Sequence, residues 1–257
     1  MRKYSILLVT FLLVLGAAGA WAYPNFDGAT GIVTLPNTEV VPVGTVNLAV
    51  SYQTMYEVGD DIDVWPGRIS AGVADKIELS AAYTLFEISD DDAPNYQWTA
   101  GAKFALLQEP TDELGLAIGG SYGKIVGDDN DVAVTRAYLA ASKDFDVIKD
   151  PMNPIKGRLT LGWAYIKFGD PADFDISKPF AVLEFTGETG ATLGLEYRCK
   201  DSDVETEAIF SAVARVPVTE DKAWWVEIGT TNSFYGATNL FDGQKTFYGI
   251  AYQFVGD

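Results

Sequence analysis

The chain contains no histidine and a single cysteine among its 257 residues. Without histidine there is no base for a Ser-His or Cys-His nucleophile pair and no imidazole ligand for a metal. Cys199 alone forms no internal disulfide, and it suits a small half-apolar position near a strand end better than a reactive one. Basic residues are scarce: 18 Lys and Arg face 36 Asp and Glu, a net charge of −18, which argues against nucleic acid as a partner. Beyond the N-terminus no stretch approaches the roughly 20 apolar residues of a membrane-spanning helix. No motif calls for a cofactor, and none is expected.

What is present begins with an export signal. Arg2 and Lys3 precede an apolar run from Ile6 to Leu15, and Ala20, Trp21 and Ala22 form a small-x-small cleavage site before Tyr23. Removing residues 1–22 takes two basic residues and no acidic ones, leaving 16 against 36, or −20. The remaining 235 residues suffice for one large all-β domain.

From Gly44 onward the chain alternates. Val46, Leu48, Val50 and Tyr52 share one face and Asn47, Ala49, Ser51 and Gln53 the other, a period of two. Eleven further candidate strands follow, at 68–73, 76–86, 96–107, 114–124, 132–142, 157–167, from 179, from 191, 207–216, 223–230 and 245–254. The seventh is among the clearest, with Leu159, Leu161, Trp163 and Tyr165 set against Arg158, Thr160, Gly162 and Ala164. The phase of the sixth is the hardest to place. Acidic residues crowd the connections after odd-numbered strands: Asp60, Asp61 and Asp63; Asp90 to Asp92; Asp128, Asp129 and Asp131; Asp170, Asp173 and Asp175; Asp201, Asp203 and Glu205; the last of these connections is Asn232 to Gln244. Connections after even-numbered strands are expected to be short, except 143–156. An even number of two-faced strands joined by alternately long and short connections predicts an all-β fold. The expected form is a closed antiparallel transmembrane β-barrel of about 12 strands in an up-and-down meander. The expected organisation is a signal at 1–22, a periplasmic or lumenal segment at 23–43 and the barrel at 44–257.

Two blocks support a family resemblance. Gly28-Ala-Thr-Gly31-Ile-Val-Thr-Leu-Pro36 leads through Pro42-Val-Gly44-Thr45 into the first strand. Further on, Lys178-Pro179-Phe180-Ala-Val-Leu-Glu184-Phe precedes Ala191-Thr-Leu-Gly-Leu-Glu196-Tyr197. Both resemble motifs of the YjbH-like outer-membrane barrels associated with exopolysaccharide, with Val182 where that family has glycine. The resemblance implies an outer-membrane barrel and a connection with polysaccharide.

Arg68, Glu78, Lys103, Arg136, Arg158, Glu184, Glu196, Arg198 and Glu227 fall on faces opposite the apolar rows, hence toward the lumen. They suit either a solute-selecting pore lining or a salt-bridged interior that keeps charge out of lipid. Asp128, Asp129 and Asp131 offer hard oxygen ligands without the spacing of a known calcium loop. The bland reading is a solvated acidic loop, with divalent cations bridging such loops to surface sugars as a further role. Tyr248, Ile250, Tyr252 and Phe254 resemble the C-terminal strand recognised by barrel-assembly machinery. The expected partners are therefore outer-membrane lipid, that machinery, and polysaccharide or small solutes. The function these features predict is a small outer-membrane channel or export-associated barrel for saccharides or other small solutes, and not an enzyme. The alternatives are a non-conducting structural or adhesive barrel and a secreted carbohydrate-binding β-sandwich.

Overall fold

The computed structural model describes residues 23–57, 60–88, 95–108, 113–127, 131–150, 152–205, 207–233 and 245–255. Residues 1–22, read from sequence as an export signal, and Asp90 to Asp92, Asp128, Asp129 and residues 234–244 lie outside them. Twelve strands run in order: β1 (Thr45–Glu57), β2 (Asp60–Ala74), β3 (Ile77–Ile88), β4 (Asn95–Leu107), β5 (Gly115–Val126), β6 (Asp131–Ile148), β7 (Ile155–Phe168), β8 (Phe174–Gly187), β9 (Thr192–Arg198), β10 (Ile209–Pro217), β11 (Trp224–Thr231) and β12 (Lys245–Val255). Each pairs antiparallel with its chain neighbours, and β12 closes on β1 from Thr45 opposite Val255 to Gln53 opposite Phe247. The fold is a closed twelve-stranded meander. Closure gives each strand two hydrogen-bonding neighbours, as a sheet in hydrocarbon requires.

Alternation sets the two faces. Leu48, Leu79, Ile118, Leu161 and Ile228 point outward, and Leu161 keeps 54% of its surface exposed. In a water-soluble sandwich these rows would face each other; here they form an unbroken apolar outer wall. Aromatic pairs mark its two edges. Tyr52 with Trp65, Tyr83 with Tyr96 and Trp98 with Tyr122 lie toward one rim, their ring centres 4.6, 5.4 and 5.9 Å apart. Trp224 with Tyr252, at 4.7 Å, lies toward the other. Such girdles belong at water–lipid boundaries. The second rim carries both ends of the barrel chain and is called the terminal rim below; the first is the far rim.

Several strands, β2 and β6 most of all, outrun their expected limits, and this corrects the pattern of connections. β6 continues to Ile148 and β7 starts at Ile155, so the supposed long connection at 143–156 shrinks to 149–154. Asp60, Asp61 and Asp63 belong to β2, leaving only 58–59 between β1 and β2. Where a strand projects past the bilayer, water reaches both faces, and charged residues replace the alternation by which strands are recognised. The long-and-short beat is therefore weaker than expected. Register breaks at Gly72/Ala74, Ala105/Leu107 and Asp146/Ile148 all fall beside terminal-rim turns, the rim position where bulges concentrate.

A basic residue at the centre of this outer wall has no aqueous partner. Leu161→Arg is expected to lower unfolding free energy in lipid vesicles by about 2–4 kcal/mol, whereas Lys167→Arg, at an exposed outward position beside the far rim, is expected to leave it unchanged in the same denaturant titration.

Candidate functional site: the occupied lumen

A ring of twelve strands encloses more space than its own side chains fill. Residues 23–41 occupy that space. The chain makes two tight loops, bridged at Pro24 with Thr30 and Gly31 with Pro36. It then passes around the wall to Gly44, whose left-handed φ of 77° turns it into β1. Phe26, Ile32, Val33 and Leu35 are buried against Ala140, Ala164, Phe180, Val182, Val213 and Phe247. Gly28, at φ 91°, sits so close to β3 that a Cβ there would lie 2.5 Å from the Ala81 carbonyl oxygen.

Wall glycines make room for this segment. Gly119, Gly162 and Gly229 each stand directly opposite an inward aromatic, Tyr138, Phe180 and Phe247 respectively. A Cβ on any of the three would come within 2.3 Å of the neighbouring ring or hydroxyl. The missing side chains let the rings lie along the wall, and Phe247 meets Phe26 edge-on at 5.1 Å.

Polar groups of the segment find partners on the wall. The Glu196 carboxylate on β9 accepts the backbone N–H groups of Val33, Thr34 and Leu35 at 2.6, 3.0 and 3.0 Å, and the Thr34 hydroxyl at 2.9 Å. Three successive N–H groups converging on one carboxylate form an anion nest. Glu78 on β3 accepts the Thr30 N–H at 2.6 Å, the Thr30 hydroxyl, and the Val41 N–H at 3.1 Å. Lys103 on β4 pairs with Glu78 at 3.5 Å and donates to the Thr30 carbonyl at 2.9 Å. All four wall contacts to Thr30 and Val41 thus converge on one Glu–Lys pair.

Cations complete the seat. Arg68 donates to the Pro24 carbonyl at 3.3 Å and pairs with Glu227 at 2.6 Å. Arg215 lies 3.6 Å over the Tyr23 ring, donates to the carbonyls of Gly31 and Ile32, and reaches Glu227 at 3.4 Å. Arg136 pairs with Asp27 at 3.0 Å. Arg158 pairs with Glu39 and grips Asp144 through two bonds of 2.6 and 2.9 Å. Glu184 accepts from the Asn37 side chain at 3.4 Å. Burial pushes the Asp27 carboxyl above its usual range, against the opposing pull of Arg136.

The nine lumen residues named from sequence thus fall into three groups. Arg68, Glu78, Lys103, Arg136, Arg158, Glu184 and Glu196 touch the segment directly, and Glu227 pairs with Arg68 and Arg215 beside Tyr23. Arg198 stands apart. It pairs with Glu205, which is buried with it. In the loop that carries Glu205, Val204 packs against the inward cluster of Val134, Ile166, Phe168 and Ile176, so residues 199–205 narrow the far-rim side. Arg215 escaped the sequence reading because its strand carries apolar residues on both faces. Inward Ile209 and Val213 alternate with outward Phe210 and Ala214, which hides the phase. Of the calcium candidates, Asp131 pairs with Lys124 at 3.3 Å, and Asp128 and Asp129 lie outside the described residues. Among the described residues no group of acids is placed to hold a metal.

Glu196→Gln keeps the shape of the seat and removes its charge. Hydrogen bonds to a charged group are worth about 1.5–3 kcal/mol, so the variant is expected to expose residues 25–41 to proteinase K several-fold faster, while the heat-dependent gel mobility of the barrel is unchanged.

No family model matches the chain, and no curated protein matches it. Solved structures similar to it include a KdgM porin in complex with disordered oligogalacturonate, with 15% identity, covering 82% of this chain and 99% of that chain at a TM-score of 0.49. A second KdgM porin structure has 16% identity and the same coverage, at a TM-score of 0.48. The outer membrane protein OprD from Pseudomonas aeruginosa has 10% identity, covering 82% of this chain and 92% of that chain at a TM-score of 0.25.

Proposed function

We propose that the protein is an integral outer-membrane channel for small polar solutes, saccharides among them, closed at rest by its own residues 23–43. It performs no catalysis in this reading. One observation carries the proposal: the ring is complete without the segment. Each strand pair is closed by its own ladder. Among the described residues, backbone pairing of the segment to the wall is confined to the end nearest β1, at Pro42 with Thr45 and at Val43 and Gly44 with Gly72. The other hydrogen bonds described between segment and wall each involve a side chain. Release would therefore break no barrel hydrogen bond. The apolar outer wall and its two aromatic girdles support insertion in the outer membrane. The outward row Tyr248, Ile250, Tyr252 and Phe254 supports delivery by barrel-assembly machinery, and the YjbH-like blocks support a polysaccharide connection.

A second reading, a non-conducting structural barrel, is favoured by the density of buried contacts on Glu78 and Glu196. Planar-bilayer recording separates the two. The intact chain is expected to conduct rarely, and a variant lacking residues 25–41 to conduct steadily. A deletion variant that shows normal heat-dependent gel mobility yet stays silent would leave the structural reading in its place.

A further inference from the structure

The contacts of the segment report what the wall can hold. Arg68, Lys103, Arg136, Arg158, Arg198 and Arg215 are buried or nearly buried on the lumen face, six of the chain's 18 basic residues. Most of its 36 acids lie instead at the rims and in the connections. Five of the six cations hold oxygen acceptors of the segment. Three take backbone carbonyls, and two take carboxylates: Asp27 on Arg136 and Glu39 on Arg158.

The Arg136 position has room beside it. A cavity of about 40 Å³ lies between segment and wall, lined by Asp27, Ala29, Ser80, Ser121, Arg136 and Tyr138 among others. The Tyr138 hydroxyl is buried there without a hydrogen-bond partner. A donor without an acceptor, next to a guanidinium and two serines, is suited to an oxyanion. The resident anion is held imperfectly, because Asp27 bears the cost of burial with one guanidinium opposite it.

We infer that the lumen recognises small carboxylate-bearing solutes through Arg136 and Arg158, and that Asp27 and Glu39 are internal carboxylates which such a solute displaces. This deepens the channel reading and rests on it for its purpose, though the displacement can be measured without conductance. Exchange of one carboxylate for another keeps both guanidiniums paired. Lys103 keeps Glu78, and Arg68 and Arg215 keep Glu227, so these two groups of charges stay compensated as the segment leaves, while Glu196 exchanges its three N–H donors for water.

The test uses the full chain in detergent, with Cys199→Ser removing its one thiol and Ala29→Cys placing a reporter beside the cavity. Citrate is expected to speed maleimide labelling several-fold over sodium chloride of equal ionic strength. Adding Arg136→Gln and Arg158→Gln is expected to abolish the difference between the two salts. Equal labelling rates in both salts on the parent background would overturn the inference, and a citrate effect that survives the double substitution would overturn its assignment to these arginines. Proteinase K digestion of the unsubstituted chain in the same two salts gives a second readout if the reporter variant does not fold: faster loss of residues 25–41 in citrate supports displacement, and equal loss refutes it. If citrate acts while the deletion variant remains silent in bilayers, carboxylate recognition stands and the channel reading fails.

Discussion

The structure depends on one constraint, the mismatch between a ring of twelve strands and the volume its inward side chains can fill. An eight-stranded ring can pack its interior with its own residues. Here the interior is completed by irregular backbone, and irregular backbone brings unpaired N–H and C=O groups into a space with little water. Each such group left without a partner costs on the order of 1–3 kcal/mol. The wall therefore supplies both kinds of partner. Glu78 and Glu196 accept N–H groups, and Lys103, Arg68 and Arg215 donate to carbonyls. The inward charges are the complement of a backbone that makes no ladder.

That division of labour bears on how firmly the lumen is closed. Burying an ion pair recovers its desolvation cost only when geometry and further hydrogen bonds are good. Glu196 meets this condition with three backbone N–H groups and a hydroxyl. Asp27 does not, since its buried carboxylate faces a single guanidinium, that of Arg136 at 3.0 Å, and its Oδ1 accepts no well-formed hydrogen bond. The seat is thus uneven, tight around residues 30–35 and weaker around Asp27. An uneven seat allows a segment to stay in place at rest and still be released by a competitor at its weaker point.

Sequence revealed most of the ring and only part of its contents, for identifiable reasons. Leu159 to Tyr165 declares its two faces because lipid lies on one side and Arg158, Thr160 and Gly162 on the other. The same rule fails where the lumen is itself apolar. Val134, Ile166 and Ile176 point inward, so the phase of β6 blurs, and Arg215 on β10 is hidden in the same way. It fails again where strands leave the bilayer, as along Lys143 to Ile148. The docking of residues 23–43 has no local signature. Gly28, Gly31 and Pro36 announce turns, but the partner of Thr34 is a glutamate 162 residues away, and periodicity carries no information about such a contact.

The distribution of charge follows from the same geometry. An inward Arg or Lys on a strand can reach a carbonyl of the segment, whereas an outward one at mid-depth faces lipid at a cost of about 2–4 kcal/mol. Basic residues accordingly gather inside or at the rims. Acids serve inside only where an N–H or a cation meets them, as at Glu78, Glu196 and Glu227, and the surplus sits in or near water at the strand ends, where repulsion is screened within about 8 Å at physiological salt. A chain that is strongly acidic overall therefore encloses a wall rich in guanidinium groups. The overall charge of the chain and the charge of its lumen answer to different solvents, and the second is the one a permeating solute would meet.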